Sequence, residues 1–392
     1  MKIGIVTFVK ADNYGAELQA YALQRKLNML GYDAEVLDLE KEKGVMASSK
    51  RNILISLKNR ISYYGLCKGV IKFVRAIIDT LLERKANNEN KDLAISKHAV
   101  FEVFFYEKIK HSSEYIKLDD LSTKVLPYGL YIAGSDQIWN YMQTKRLDVY
   151  FLEFANRFNA RKISYAASFS VSEIPSDLKS IYKKLLGNLD AISVRERNAI
   201  DIVRELSDKP VIQVLDPTLL LNREQWVKDL ALENYLPKDK QYVVIYTLSG
   251  SKYIYELAKN IAKKFNAEVI NIKSGYYRTK VDDGITHIMN AGPQEFISIL
   301  DNAVYVITDS FHGTAFSINF NIPFTTLLNP VSNINSRAIS LLEICQLKER
   351  IIYDDGKNRL PQNLCVDFTK SNEILSAWRD SSIDYLVRNI EV

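Results

Sequence analysis

The sequence predicts an α/β fold in which two doubly wound domains face a cleft, with a helical insertion in the N-terminal domain. Short apolar runs alternate with helical patterns twice along the chain, on both sides of a polar, proline-containing segment near 233–241. Parallel strands joined by helical crossovers produce this rhythm. The length of 392 residues also exceeds what one hydrophobic core usually serves.

The N-terminal domain is predicted to span residues 1–232 and to begin with a β-α-β unit. A strand at 3–8 leads into a helix at 16–30. Gly31 ends that helix, and a second strand follows at 34–39. Short apolar runs predict further strands at 130–134, 162–168, 191–195 and 211–216, with helices at 176–187 and 197–206 between them.

Residues 44–125 interrupt this rhythm and are predicted to form a helical insertion. Between Lys50 and Lys85 the chain has nine basic residues against two acidic ones, mixed with apolar residues. Two interpretations remain open. The basic residues form a solvated helix face, or the basic segment 50–85 contacts an anionic membrane surface or a lipid-linked diphosphate.

The C-terminal domain is predicted over residues 233–370. Its strands are predicted at 242–248, 268–273, 305–310 and 324–328, and its helices at 252–265, 294–302 and 313–319. Residues 371–392 are predicted to form a final helix that packs back on the N-terminal domain.

Composition and charge narrow the classes of function. The net charge of +5 is a mild excess, which suits an anionic small ligand and does not indicate nucleic-acid binding. The three cysteines form no Cys-x-x-Cys pair, and His-x-His, His-Glu-x-x-His and Asp-x-Asp motifs are absent, so no disulfide framework or metal site is predicted. This cysteine usage, without an apolar run of about 18 residues, favours a cytoplasmic protein.

Polar residues beyond the carboxyl ends of the strands are the candidate site, because doubly wound sheets bind ligands there. In the N-terminal domain, Ser135 and Asp136 follow one strand and Arg195 ends another. An arginine at this position can grip a carboxylate or phosphate through two N–H groups, or it can pair with the adjacent Glu196. The sequence leaves both interpretations open.

Two more strand ends carry candidate residues. Asn13 and Gly15 follow the first strand, where a helix start can expose N–H groups to an anion, or Asn13 can simply cap the helix. Asp216 precedes Pro217, which holds it away from helical geometry at a strand end. A local cap is the commoner role for such an aspartate.

The stretch VITDSFHG, residues 306–313, is the strongest candidate. A strand is predicted to end at Ser310 and a helix to start near Gly313, so that the N–H groups of Gly313 and Thr314 can hold an anion. His312 can act as a general acid beside that anion, or it can only cap its own turn.

Seven motifs occur in an order that resembles the polysaccharide pyruvyl transferase family over roughly residues 1–350. They are NYGAELQAYALQ (13–24), AGSDQIWN (133–140), ISYAASF (163–169), ISVRE (192–196), VLDPTLLL (214–221), GPQEF (292–296) and ITDSFHGTAFSI (307–318). No single motif is specific, but seven of them in order are.

The resemblance implies two Rossmann-like domains similar to those of GT-B glycosyltransferases. It implies transfer of pyruvate from phosphoenolpyruvate to two hydroxyls of a sugar, which releases phosphate and leaves a cyclic ketal. Phosphoenolpyruvate is then the donor substrate, and no cofactor is expected. The implied acceptors are cell-surface glycans or their lipid-linked precursors, so we expect a cytoplasmic enzyme that contacts the membrane at most peripherally and binds no nucleic acid.

The same resemblance makes Arg195 and His312 the catalytic residues. Arg195 would clamp one anionic group of phosphoenolpyruvate, and the helix start after His312 would hold the other. His312 would give a proton to the methylene carbon or to the departing phosphate. The predicted substrate-binding residues are Asn13, Gly15, Ser135, Asp136, Asp216, Ser310, Gly313, Thr314 and Arg337, the last as the family's basic residue downstream of the histidine.

Two other functions are compatible with this fold. One is a glycosyltransferase that takes a nucleotide sugar as donor, although no Asp-x-Asp motif is present. The other is a non-catalytic protein that binds a glycan or an anion. The presence of both Arg195 and His312 argues against the loss of catalysis.

Overall fold

The computed structural model describes most of the chain. The described residues are 1–42, 61–62, 70–71, 74, 77–78, 91–230, 235–236, 240–249, 251–273, 284–330, 335–355 and 361–391. Most of the basic segment 50–85 lies outside them, so both interpretations of that segment stay open. The predicted domain boundary at 232/233 also lies outside them.

The N-terminal domain contains a parallel sheet. Its strands are β1 (Lys2–Val6), β2 (Asp33–Val36), β3 (Leu130–Ala133), β4 (Arg161–Ser164), β5 (Ile192–Val194) and β6 (Val211–Gln213). The order β2-β1-β3-β4 continues through isolated parallel bridges from β4 to the β5-β6 pair. The carboxyl ends of all six strands therefore lie along one edge of the sheet.

Helices connect and flank these strands. They are α1 (Tyr14–Met29), α2 (Lys91–Lys108), α3 (Leu147–Tyr150), α4 (Ser176–Gly187), α5 (Arg197–Leu206) and α6 (Arg223–Leu230), with 3₁₀ turns at Asp119–Ser122, Glu153–Arg157 and Pro217–Leu219. The predicted insertion is thus helical only in part. After α2, backbone hydrogen bonds join residues 110–116 to residues 36–40 along the edge of the sheet.

The C-terminal domain contains a second parallel sheet in the order β12-β11-β10-β7-β8-β9. Its strands are β7 (Tyr242–Thr247), β8 (Glu268–Lys273), β9 (Thr286–Ile288), β10 (Tyr305–Thr308), β11 (Phe324–Leu328) and β12 (Ile351–Tyr353). Its helices are α7 (Lys252–Phe265), α8 (Pro293–Asp301), α9 (Phe311–Asn319) and α10 (Ser336–Ile344), with a 3₁₀ turn at Lys348–Arg350. The central strands are buried along their whole length, as expected for a sheet that helices cover on both faces.

The predicted fold class, two Rossmann-like α/β domains, is confirmed by these two parallel sheets. The predicted strands and helices are present, with ends that differ by a few residues. The clearest difference is α9, which begins at Phe311 and not at Gly313. Strands β9 and β12 and helices α6 and α10 were not predicted.

The last helix, α11 (Thr369–Ile390), returns to the N-terminal domain. The hydroxyl of Tyr385 donates a hydrogen bond of 2.9 Å to the carbonyl of Ser164. The backbone N–H of Leu215 donates a bond of 3.0 Å to Oγ of Ser382. Among the described helices, none is both long and apolar enough to cross a membrane.

Tyr14 connects the start of α1 to the C-terminal domain. Its ring stacks on that of Phe296 in α8, with centroids 4.4 Å apart and planes 12° apart. Its hydroxyl donates a bond of 2.8 Å to the carbonyl of Ala291. This contact fixes the first turn of α1 against the domain that carries VITDSFHG.

Candidate active site

Residues from both domains meet in a buried cluster at the carboxyl edges of the two sheets. Arg195 follows β5, Asp216 lies beyond β6, and His312 occupies the first turn of α9. Each of these three side chains is less than a tenth exposed. Residues that the sequence placed at separate strand ends therefore contact one another.

Asp216 is the centre of the cluster. Its Oδ1 accepts hydrogen bonds from the backbone N–H and the hydroxyl of Thr218, at 2.9 and 2.7 Å. Its Oδ2 accepts bonds from Nη1 of Arg195 at 2.7 Å and from the hydroxyl of Ser135 at 2.9 Å. Nε2 of His312 lies 3.8 Å from the same oxygen. One carboxylate thus caps its own turn and contacts two functional side chains.

The charge state of Asp216 follows from these contacts. Burial acts to raise the pKa of Asp216, but His312 and Arg195 outweigh burial and hold the pKa well below its usual range. The carboxylate stays ionised at physiological pH and is a weak proton acceptor. The geometry and this low pKa together match a counter-ion of Arg195.

Arg195 has three carboxylates and an aromatic ring around it. Besides Asp216, Oδ1 of Asp136 lies 3.6 Å from Nη2, and Oε2 of Glu196 lies 4.0 Å from Nε. Burial opposes the charge, but these carboxylates outweigh burial and raise the pKa of Arg195. The guanidinium carbon lies 4.6 Å from the centre of the Phe311 ring. Nε and Nη2 have no hydrogen-bond partner among the described residues.

Glu196 is not the close ion-pair partner of Arg195 that one interpretation of the sequence suggested. Its Oε1 accepts hydrogen bonds from the hydroxyl of Ser168 and from the backbone N–H groups of Phe169 and Ser170, at 2.9, 3.0 and 3.1 Å. This carboxylate therefore stabilises the turn after β4. The close ionic partner of Arg195 is Asp216.

Arg337 brings a second guanidinium group to the cluster. It lies in α10, is buried, and has its guanidinium carbon 5.9 Å from the centre of the Phe311 ring. In the part of the chain that the structure describes, it forms no ion pair, and its Nε has no hydrogen-bond partner. Burial and then the charge of Arg195 lower the pKa of Arg337 to about 10. An anion bound beside both arginines would relieve this unfavourable charge.

His312 packs against the start of α1. A Cβ atom at residue 15 would overlap Nδ1 of the imidazole, so only glycine allows the ring to lie there. Nε2 points towards Asp216 and has no hydrogen-bond partner within the described ranges. Gly15 therefore provides space for His312, a different role from the anion binding that the helix start suggested.

Asn13 acts as the N-cap of α1. Its side-chain oxygen accepts hydrogen bonds from the N–H groups of Gly15 and Ala16, at 2.9 and 3.3 Å. These are the first donors of the helix, so the cap occupies the groups that would hold an anion. The geometry of Asn13 therefore matches a helix cap and not an anion-binding residue.

The first turn of α9 differs from the prediction, because the helix begins two residues early. Ser310 is its N-cap and accepts a long bond of 3.5 Å from the N–H of Gly313. The N–H of Thr314 already donates to the carbonyl of Ser310 at 3.0 Å. The N–H groups without an intrahelical partner are those of Phe311 and His312, since they lead the helix. Gly313 is required for packing, because a Cβ there would overlap Oγ1 of Thr308.

Sequence reasoning missed two contributors to the site, Phe311 and Thr218, and the backbone conformation of Asp136, a residue that it had named. Phe311 lies beside both arginines, Thr218 fixes Asp216, and Asp136 adopts a left-handed backbone conformation with φ of 76°. The first two lie inside the motifs SFHG and DPT, so their positions were a signal. Asp136 was named as a candidate from the sequence, but no sequence pattern indicated its left-handed backbone conformation.

The arrangement has the elements of an anion-binding acid catalyst. Arg195 and Arg337 are buried and have N–H groups without hydrogen-bond partners among the described residues. The start of α9 adds the two leading backbone N–H groups. The imidazole of His312 lies beside the carboxylate of Asp216. Within the described residues, no group of three or more His, Cys, Asp or Glu side chains is arranged to hold a metal ion.

The comparison with family models agrees with the motifs. The model of the family described as polysaccharide pyruvyl transferase matches residues 13–330. A search of curated proteins found no match. Solved structures that resemble the chain include a UDP-GlcNAc 2-epimerase from Neisseria meningitidis (TM-score 0.47, 10% identity, 100% of this chain and 99% of that chain) and an ADP-heptose heptosyltransferase II from E. coli (TM-score 0.39, 11% identity, 97% and 99%). These structural similarities are remote.

Proposed function

Because the chain belongs to the polysaccharide pyruvyl transferase family, we propose that it moves pyruvate from phosphoenolpyruvate onto two hydroxyls of a sugar. The sugar belongs to a cell-surface polysaccharide or its lipid-linked precursor, the product is a cyclic ketal, and phosphate is released. The observation that carries this proposal is Arg337, a buried guanidinium group without an ion-pair partner in the described residues, next to Arg195.

Phosphoenolpyruvate fits the charges of the site. It carries a carboxylate and a phosphate, whereas the free donors are Nε and Nη2 of Arg195, Nε of Arg337 and the leading N–H groups of α9. Arginine suits such planar anions because its N–H groups bind them in pairs. One anionic group is assigned to Arg195, and the other to Arg337 and the helix start.

The reaction needs one proton at carbon and one at phosphate. Protonation of the methylene carbon gives an oxocarbenium-like centre, which the first sugar hydroxyl attacks with loss of its proton. The second hydroxyl then attacks the same carbon, its proton is lost, and the bond from carbon to the phosphate oxygen breaks. Two hydroxyl protons replace those given to carbon and phosphate, so no cofactor is needed. His312 acts as a general acid and supplies either the proton for the carbon or the proton for the phosphate.

The acceptor hydroxyls need a proton acceptor, and Asp216 is a poor one because its pKa is held low. Asp136 is the better candidate, with its carboxylate beside the guanidinium of Arg195. Asp216 is assigned a different role, which is to orient Arg195 and His312.

A nucleotide-sugar donor fits the described loops less well. In the C-terminal domain, Asp309 accepts hydrogen bonds from the N–H groups of Leu248 and Ser249, at 2.7 and 2.9 Å, and from the hydroxyl of Thr247 at 2.7 Å. Asp354 accepts a bond from the hydroxyl of Ser251. A diphosphate at this loop would face two carboxylates that already occupy its donors.

Phosphate release tests the proposal. The protein is incubated with phosphoenolpyruvate and a panel of sugars, and separately with nucleotide sugars. We expect phosphate release only with phosphoenolpyruvate. His312→Ala and Arg195→Ala should each lower the rate at least about 100-fold while circular dichroism stays native. The matched control is the exposed Arg388→Ala. Full turnover in both site variants would refute the assignment.

We further propose that the enzyme works in the cytoplasm and meets lipid-linked acceptors through the basic segment 50–85. The support is the excess of nine basic residues over two acidic ones in the sequence. Sedimentation with vesicles that contain anionic lipid, compared with neutral vesicles, tests this contact. Equal sedimentation with both kinds of vesicle would refute the proposed contact with anionic membranes.

A further inference from the structure

The carboxyl edge of the N-terminal sheet carries a second group of polar and aromatic side chains, which the loop after β1 joins to the candidate active site. We call it the acceptor track. It consists of Lys10, Asp12, Asp38, Lys41, His98, Glu102, Tyr106 and Tyr115. We propose that the acceptor track binds the sugar units that flank the reacting sugar of an oligosaccharide acceptor, an inference that rests on the proposed function.

The inner half of the track is a network of half-exposed polar groups. Nδ1 of His98 lies 2.7 Å from Oδ1 of Asp12, and Nε2 of His98 lies 3.5 Å from Oε1 of Glu102. Nζ of Lys41 lies 3.5 Å from the other oxygen of Asp12. These carboxylate, imidazole and ammonium groups can bind the hydroxyl edges of sugar rings, which carry donors and acceptors side by side.

The outer half of the track presents two aromatic rings to solvent. Tyr106 is 47% exposed and Tyr115 is 53% exposed. The hydroxyl of Tyr106 donates a bond of 3.4 Å to Oδ2 of Asp38. Nζ of Lys10 pairs with the other oxygen of Asp38 and lies 4.9 Å from the centre of the Tyr115 ring. The buried ion pair thus supports both rings from beneath.

Exposed rings on such a support suit the apolar faces of sugars. A tyrosine combines a flat apolar body with a polar hydroxyl, and few of its torsions must be frozen on binding. A buried ion pair that served only stability would not require two rings to remain half in water. The mixed charges of the track, three carboxylates with two lysines, do not favour a polyanion such as nucleic acid.

The loop after β1 joins the track to the candidate active site. Asp12 lies three residues before Gly15, on which the imidazole of His312 packs. Lys10 and Asp12 both have a positive φ, of 56° and 52°, which non-glycine residues rarely adopt. Their ion pairs with Asp38 and Lys41 hold this loop in place.

Helix α2 supplies the other side of the track. His98, Glu102 and Tyr106 are spaced four residues apart and therefore share one face of the helix. The helix lies within the predicted insertion 44–125, which contains none of the seven family motifs. The acceptor track is therefore built in part from a segment outside the family motifs.

Saturation-transfer NMR tests the proposal without the reaction. The probes are lactose, cellobiose and N,N′-diacetylchitobiose, offered to the wild-type protein and to Tyr106→Ala, Tyr115→Ala and the double variant. We expect at least one probe to receive saturation, and each substitution to weaken its binding about fivefold. Tyr353→Ala, which removes another exposed tyrosine outside the track, should bind as the wild type does.

Two results would overturn the track. One is that no probe binds, and the other is that the double variant binds as well as the wild type while its circular dichroism is native. The proposed function is tested separately by titration of phosphoenolpyruvate. Sugar binding that depends on the tyrosines, without phosphoenolpyruvate binding, would support the track and refute the donor. The reverse pattern would retain the donor and remove the track.

Discussion

Glu17 and Asp216 are two fully buried carboxylates whose proton affinities are shifted in opposite directions. Burial raises the pKa of Glu17 to about 8, and the N–H groups of Ala11 and Lys10 offset it only in part. Asp216 is as deeply buried, but His312 and Arg195 hold its pKa far below the usual range. Burial alone therefore does not decide the charge of a carboxylate; its partners do.

The difference separates a carboxyl group that stabilises a loop from one that lies in the candidate active site. Glu17 lies in α1 and accepts a hydrogen bond of 3.2 Å from the N–H of Ala11, so as a neutral acid it stabilises the loop after β1. Asp216 is ionised and meets both predicted catalytic residues at the domain interface. Substitutions that remove each charge should thus have different consequences.

The largest effect is expected for Asp216→Asn. It leaves Arg195 buried without its closest partner, and such a loss costs about 3–5 kcal/mol of stability. Phosphate release should also fall by at least about 100-fold, because Arg195 and His312 lose their common anchor. Thermal denaturation and a phosphate assay measure the two effects. Asp384→Asn, which removes an exposed partner of Arg388, is the control and should change neither.

Gly15→Ala should impair catalysis with a smaller loss of stability. The added Cβ overlaps the imidazole of His312 and must displace it. A displacement of about 1 Å in a catalytic group can lower kcat roughly 100-fold. The measurement is kcat beside circular dichroism, with Gly187→Ala as control because its Cβ would meet open space. Wild-type kcat in Gly15→Ala would show that the position of His312 is unimportant.

Glu17→Gln should change how stability depends on pH and leave catalysis intact. Between the ordinary glutamate pKa of 4.5 and the raised pKa of about 8, the folded wild type holds a proton that the unfolded chain has lost, so wild-type stability falls as pH rises through this window. Glutamine cannot titrate, so the variant should match the wild type near pH 4.5 and exceed it above pH 8. Urea denaturation at several pH values measures this. Parallel pH profiles would show that Glu17 does not retain its proton.

Tyr14→Phe should have the smallest effect. It removes the hydrogen bond to the carbonyl of Ala291 but keeps the stack on Phe296, so stability should fall by about 0.5–1.5 kcal/mol. Since Tyr14 precedes Gly15, kcat should also decrease, by less than in Gly15→Ala. Denaturation and kinetics on the same preparations compare these effects. A loss larger than that of Gly15→Ala would reverse the order proposed here.

The sequence predicted the fold well, because parallel strands buried on both faces appear as short apolar runs between helical patterns. The short edge strands β9 and β12 were not predicted, because a strand of three residues shows too little periodicity to be recognised. The start of α9 was misplaced because Gly313 looked like a helix boundary, whereas the glycine allows close packing on Thr308.

The sequence named residues of the candidate site one by one, but it did not show the contacts among them. Strand-end positions identified Arg195, Asp216 and His312, since that rule depends only on topology. The contact between His312 and Gly15 depends on how two domains meet, which local pattern does not encode. For the same reason the sequence could not show that Arg337 lies beside Arg195 with Phe311 in contact with both.

Calorimetric titration of phosphoenolpyruvate tests the central claim most directly, since it asks whether the two buried arginines form an anion site. The account predicts saturable binding to the wild type and at least about tenfold weaker binding to Arg337→Gln, which keeps a polar side chain but loses the charge. The matched control, Arg223→Gln at a half-exposed ion pair, should bind as the wild type does. Equal affinity of Arg337→Gln and the wild type, or no binding at all, would contradict the account.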